Sequence, residues 1–166
     1  KVVRYFKHER QNEGTMICEH KLGFISANAG VDESNVAGRD NVLLLPKNPD
    51  ISAKKIMNYF KKKYNTDIGI VITDTFGRPW RVGQVNVAIG VSGIPVTKSE
   101  KGTEDSFGNF MKVTEPAFCD EIAAASGLVI KKSSKTPIVL FRGLEWVNAK
   151  SSIKDVLRNK KEDMFL

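Results

Sequence analysis

Cysteine and histidine are scarce in this chain, and long apolar runs are absent. Two Cys and two His occur among 166 residues. Cys18 and Cys119 form no CxxC pair, which argues against a metal cluster and a disulfide framework. Such cysteine usage fits a reducing compartment, so a cytoplasmic protein is expected. His8 and His20 lie near the start, far from the other candidate groups, and suggest no Ser-His-Asp or Cys-His arrangement. No apolar run approaches the roughly 18–20 residues of a membrane-spanning helix, so no membrane partner is expected. No GxxxxGK[ST] string occurs, so a P-loop nucleotide site is absent. No basic stretch followed by an apolar one opens the chain, and no secretory leader is read. No repeat or Pro/Gly/Ser linker divides it, so a single domain over 1–166 is expected. The first residue is Lys1 rather than Met, which predicts a processed, trimmed or partial chain.

What is present is the balance of a folded globular domain, with 41% hydrophobic and 27% charged residues. The net charge is +7, and 19 of the 26 basic residues are Lys. They cluster at Lys54–Lys55, Lys61–Lys63, Lys131–Lys132 and Lys160–Lys161. Lysine on a solvated helix face is usually a solubility device. A basic nucleic-acid module would interleave aromatics with these clusters and carry a recognisable motif. Neither is seen, so no nucleic-acid partner is expected.

The pattern predicts α+β, a mixed sheet with packed helices. Short apolar runs at 16–19 and 23–27 read as a hairpin. Residues 28–38, rich in Gly, Asn, Asp and Ser, read as a loop. Residues 42–45 suggest a short strand, and 46–50 a turn. A helix is expected over 52–64, with Ile51, Ile56, Tyr59, Phe60 and Tyr64 at helical spacing and Lys on the other face. Asp50 or Ser52 is the expected cap. The β-branched run 68–73 predicts a buried central strand ending at Asp74. Further strands are expected at 85–91 and 138–141, with a turn at 90–95. A second helix is expected over 116–128, with Pro116 in its first turn and Ile122, Ala123 and Leu128 towards a core. A short helix over 150–157 closes the chain.

Chemistry concentrates in Thr73-Asp74-Thr75-Phe76-Gly77-Arg78-Pro79-Trp80-Arg81. A carboxylate beside a hydroxyl suits a hard cation such as Mg²⁺, which prefers oxygen. Arg78 and Arg81 can grip phosphate or carboxylate through paired N–H groups. The alternative is a tight turn with Arg on Trp80 and Asp74 paired to an Arg. A second cluster, Asn28-Ala29-Gly30-Val31-Asp32-Glu33-Ser34-Asn35, offers backbone N–H groups for an anion and Asp32 to share a cation with Asp74. Its alternative is an Asx-rich turn that satisfies its own side chains. Asp105, within 101–108, is a candidate acid in a loop, and an exposed acidic loop is the plainer reading. Asp120 and Glu121 read as surface charge on the second helix.

Whole strings go further. FISANAGVDESN (24–35), ITDTFGRPWR (72–81) and GQVNVAIG (83–90) resemble the coenzyme F-420 gamma-glutamyl ligase family. DSFG (105–108), DEIAAA (120–125), Arg142-Gly143 and the closing Glu162-Asp163-Met164-Phe165 follow in the same order. The resemblance covers nearly the whole chain. It implies an enzyme that adds L-glutamate to the deazaflavin coenzyme precursor. GTP would phosphorylate a precursor carboxylate, and the glutamate amine would displace phosphate to give the amide. It also implies an intertwined homodimer and one or two Mg²⁺ or Mn²⁺ ions. By resemblance, Asp32 and Asp74 hold one metal and Thr75 another. Asn35 contacts the nucleotide, as does the segment 130–137 with Ile130, Lys131, Lys132, Ser133 and Ser134. Arg78, Arg81 and Asp105 take substrate or phosphate roles beside Asp74.

Two departures from the family pattern stand out. Near Lys132 the family has a second-metal ligand with a side-chain oxygen, commonly Gln, and a protonated lysine has no lone pair for a metal. The family's N-terminal region has no counterpart before residue 2. The alternative reading is therefore a non-ligase relative that binds guanine nucleotide or an anionic ligand as a regulatory module.

Overall fold

A computed structural model describes residues 1–7, 14–131 and 133–163. Three strands, β1 (Val2–Lys7), β2 (Gly14–Glu19) and β3 (Ile25–Ala27), form one antiparallel sheet in sequence order. The expected hairpin is its β2–β3 pair, closed where His20 N–H donates to Phe24 O at 2.7 Å. A long hairpin, β4 (Ile70–Arg78) and β5 (Arg81–Ser92), forms the second sheet. Two helices, α1 (Pro49–Tyr64) and α2 (Phe118–Val129), pack against it. The class is α+β as expected. The sheets are antiparallel among the described residues, not mixed.

The β4–β5 hairpin organises the rest. Arg78 pairs with Arg81 across Pro79-Trp80, and Trp80 takes the left-handed φ of 56° that so tight a connection demands. Between Ile72 and Thr73 the register shifts, leaving Ile89 as an extra residue on β5. Such a bulge breaks the two-residue alternation of side chains. Asn86, before it, meets α2 at Ser126 and Gly127. Gly90, after it, meets α1 at Pro49, and Ser92 meets Met57. Ile89, Val91, Ile94, Val96, Cys119 and Ala123 then share a core with Phe24 and Ile153.

Several expectations need correction. Asp74 does not end a strand; β4 continues to Arg78 because β5 supplies a pairing partner that far. Likewise β5 extends through the expected turn to Ser92, and Gly93 (φ 72°) then leaves the strand. Helix α1 starts at Pro49 and is capped by Asn48, whose Oδ1 accepts from Ile51 N–H at 3.0 Å. Asp50 and Ser52 are not the cap. The buried face of α1 carries Pro49 and Ala53, whereas Ile51, Ile56, Tyr59 and Tyr64 are exposed. Helical period specifies a helix, but the neighbouring sheet selects the face. The Lys63 ammonium lies 5.5 and 5.3 Å from the Tyr59 and Tyr64 rings, a cation–π arrangement on the outer face.

Helix α2 starts two residues after Pro116 and buries Cys119, Ala123 and Ser126, while Leu128 stays exposed. Residues 138–141 form no strand, and Ile138 and Leu140 are exposed. An apolar run becomes a strand only beside an edge that pairs with it. Among the described residues no strand pairs with 138–141. In 42–45 a single bridge, Asp32 with Leu43, replaces the expected strand. The closing helix is one 3-10 turn, Ile153–Val156, held by a capping box of Ser152 and Asp155.

Candidate functional site

Where β4 and β5 face α2, a cleft of about 830 Å³ opens. Thr73, Asp74 and Thr75 of β4 line one wall, beside Gln84, Val85 and Asn86 of β5. Ala124, Gly127 and Leu128 of α2 form another wall. The chain leaving α2 closes the rim with Ile130, Lys131, Lys135, Thr136 and Pro137, and Asn35 reaches in from the first loop.

Local chemistry shapes this rim. Ser134 N–H and Oγ both donate to Lys131 O, at 3.1 and 3.0 Å. Thr136 Oγ1 donates to Ser134 O at 3.2 Å, and Lys135 adopts a left-handed φ of 54°. The resulting turn brings two ammonium-bearing residues, Lys131 and Lys135, to the cleft that Asp74 also lines. Asn35, with φ 55°, ends its loop in the conformation that Asn tolerates best after Gly.

The wall behind Thr75 is built from polar groups with fixed roles. Thr75 Oγ1 donates to Asn86 Oδ1 at 2.9 Å. Asn86 Nδ2 donates to Ser126 Oγ at 3.5 Å, and Ser126 Oγ donates to Ala123 O at 2.6 Å. A Cβ on Gly127 would come within 3.2 Å of Asn86 Nδ2, so glycine there lets helix and amide meet closely.

Of the residues singled out from sequence, Asn35, Asp74, Thr75, Ile130 and Lys131 meet at this cleft. Lys132 lies outside the described residues. Ser133 and Ser134 do not line the cleft. Asp32 is not on its wall either. Its Oδ1 accepts from Ser34 N–H at 2.8 Å and its Oδ2 from Ser34 Oγ at 2.9 Å. Arg78 and Arg81 sit at the far end of the hairpin, away from the lining, and Arg78 Nε is buried without a hydrogen-bond partner among the described residues.

Asp105 serves its own loop. It accepts from Phe107 N–H and Asn109 N–H, each at 2.8 Å, and from Asn109 Nδ2 at 3.2 Å. The Asn109 and Phe107 backbone bonds, then the Asn109 side chain, hold its carboxyl below the ordinary 3.8.

Sequence reasoning missed Gln84 and Asn86 as lining residues, whereas Lys135 falls within the segment 130–137 expected at the nucleotide. A polar residue amid the apolar alternation of GQVNVAIG was the available signal. It also missed Asp50 and Asp120 as ties between elements. Asp120 Oδ1 accepts from Ala88 N–H at 2.9 Å, so it is no mere surface charge. Asp50 Oδ1 accepts from Val91 N–H at 2.9 Å, and its Oδ2 from Ser152 Oγ at 2.8 Å.

Among the described residues, no group of three or more His, Cys, Asp or Glu is placed to hold an ion. A divalent cation here would draw on few protein oxygens, those of Asp74 and Thr75. That donor set fits Mg²⁺ or Mn²⁺, which commonly take one or two carboxylates and complete the shell with water and phosphate. Among the described residues no helix is long and apolar enough to cross a membrane.

A family model for F420-0:Gamma-glutamyl ligase matches residues 1–143. Coenzyme F420:L-glutamate ligase of Methanocaldococcus jannaschii is 42% identical over 151 residues, 90% of this chain and 60% of that protein. The proteins of the same name from Methanopyrus kandleri and Methanococcus maripaludis are each 40% identical over 155 and 151 residues. Both alignments cover 90% of this chain, and 61% and 60% of those proteins. The chain thus spans about 60% of the length of the curated relatives it matches. With Thr73, Asp74 and Thr75 of the ITDTFGRPWR string on the wall of the cleft and the match running through Gly143, this chain belongs to the F420-0:gamma-glutamyl ligase family.

Proposed function

We propose that the protein acts as a GTP-dependent amide ligase that adds L-glutamate to the deazaflavin coenzyme F420 precursor. The observation that carries this reading is the meeting, at one cleft, of Asp74 and Thr75 with Asn35, Lys131 and Lys135. Phosphoryl transfer asks mainly for positioning and neutralised charge. Lys131 and Lys135 are point charges suited to phosphate oxygens. Asp74 and Thr75 would hold Mg²⁺ or Mn²⁺, which supplies charge neutralisation at those oxygens. Asn35 would orient the nucleotide through its donor and acceptor. The precursor carboxylate takes the terminal phosphoryl group and GDP leaves. The glutamate amine then forms the amide, phosphate departs, and the amine gives up a proton.

A homodimer in the cytoplasm belongs to the same proposal. Trp80 and Phe107, at the tips of two loops, are 83% and 91% exposed, apolar surface of the kind that subunit contacts cover.

The test is incubation with precursor, L-glutamate, Mn²⁺ and GTP, read by mass spectrometry. One added glutamyl unit and GDP, both lost in Asp74→Asn, are expected. Full turnover in Asp74→Asn overturns the assignment of the cation to Asp74. Tight guanine-nucleotide binding without any product favours the regulatory relative instead.

A further inference from the structure

Thr75 lines the cleft, yet its hydroxyl hydrogen does not face the cleft. The reason can be traced outward, one group at a time. The Ala123 carbonyl can only accept, so the Ser126 hydroxyl, 2.6 Å away, must donate to it. That leaves Ser126 Oγ only lone pairs for Asn86. The Asn86 atom facing it must then be the amide nitrogen, which fixes which way the side-chain amide points. The other end of the amide, Oδ1, faces Thr75 and can only accept. Thr75 therefore spends its hydrogen on Asn86, at 2.9 Å. Towards the cleft its oxygen offers lone pairs alone.

We infer that Asn86, locked by Ser126, is a positioning residue that makes Thr75 an acceptor towards the cleft. In this state Thr75 takes a hard cation and does not donate to a phosphate oxygen, which is itself an acceptor. The inference rests on the cation reading given under the proposed function and adds the residues that orient its oxygen ligand. The packing agrees with it. A Cβ on Gly127 would stand 3.3 Å from Asn86 Cγ, so the helix holds the amide from the side as well as through Ser126.

The experiment measures Mn²⁺ affinity of the purified protein, without nucleotide, by electron paramagnetic resonance of the free ion. Four proteins are compared: wild type, Thr75→Val, Asn86→Leu and the double variant. Removing a group that orients a ligand costs about 10–100-fold in metal affinity. Asn86→Leu and Thr75→Val should each weaken binding about tenfold, and the double variant should bind no more weakly than Thr75→Val. A merely structural role for Asn86 would weaken binding again in the Thr75→Val background, and that outcome overturns the inference. So does wild-type affinity in Asn86→Leu. If wild type itself shows no saturable Mn²⁺ binding, the cation reading falls and this inference falls with it. A wild type that binds beside an unaffected Asn86→Leu defeats this inference alone.

Should circular dichroism show Asn86→Leu unfolded, Ser126→Ala replaces it, since alanine suits a helix. It frees the amide to turn, so it should weaken Mn²⁺ binding in the wild-type background and leave Thr75→Val unchanged. Equal losses in both backgrounds overturn the inference.

Discussion

Asp120, in the first turn of α2, accepts from the backbone N–H of Ala88 at 2.9 Å, beside the β5 bulge. Ala88 is 3% exposed, so water cannot readily replace the carboxylate. A buried donor left without an acceptor costs about 1–3 kcal/mol. Asp120→Ala should therefore lower unfolding stability by that amount in urea titration. Asp120→Asn keeps an oxygen acceptor and should lose less. Equal stability in wild type and Asp120→Ala would remove the tie from the account of how α2 is seated.

Gly90 marks the place where α1 meets the hairpin. A Cβ there would stand 2.6 Å from the Pro49 carbonyl carbon and 2.8 Å from its oxygen, both backbone atoms that cannot swing aside. Gly90→Ala should destabilise the protein by about 1–3 kcal/mol, the usual scale for overpacking. Gly77, where a Cβ meets nothing within 4 Å, is the control: Gly77→Ala should be nearly neutral in the same thermal melts.

Cys119 is fully buried, and its thiol is pushed up from 9.0 to about 12 by burial first and by the Asp120 charge second. The folded protein should show no Cys119 alkylation by iodoacetamide at pH 8.5, with full labelling once urea unfolds it. The unfolded chain loses this proton near pH 9, whereas the folded chain keeps it to about 12. Stability should thus fall with rising pH across that window, and Cys119→Ala should flatten the fall. Rapid native labelling, located by peptide mass spectrometry, would contradict the burial.

Asp105 should behave in the opposite sense. Its folded value lies below the ordinary 3.8, so its contribution is present above that pH and lost as pH falls through the folded value. A carboxyl titration by NMR should place Asp105 below 3.8. Asp105→Ala should abolish hydrogen-exchange protection at Phe107 N–H and Asn109 N–H, which donate to the Asp105 carboxylate at 2.8 Å each, and leave the melting temperature almost unchanged. A large drop in melting temperature would show that the loop supports the core.

Much of the architecture was legible because its causes are local. The lysine-rich end marks α1 through dipole chemistry, whereas its Asn48 cap falls inside the expected turn 46–50. The run 68–73 and the alternation of 85–91 announce β4 and β5, though not their full length. Asp74 and Thr75 were legible as candidate site residues from their own string, and both line the cleft. The face of α1 was not legible, since Ala53 is buried and Tyr59 exposed only because of how the sheet lies against the helix. Asn86 was not legible as a lining residue either, because its partners stand 11 residues back at Thr75 and 40 residues on at Ser126.

By itself, then, the sequence determined the two main helices, the middles of β4 and β5 and the family, all carried by short-range preference and contiguous strings. Tertiary structure alone decided that Asp74 lies within a strand and that Asp120 ties a helix to a bulge. It also decided that Ile138 and Leu140 stay exposed. Each of these depends on what another part of the chain brings alongside. A hydrogen-bonding group takes its role from its partner, and these partners lie at separations that no local pattern encodes.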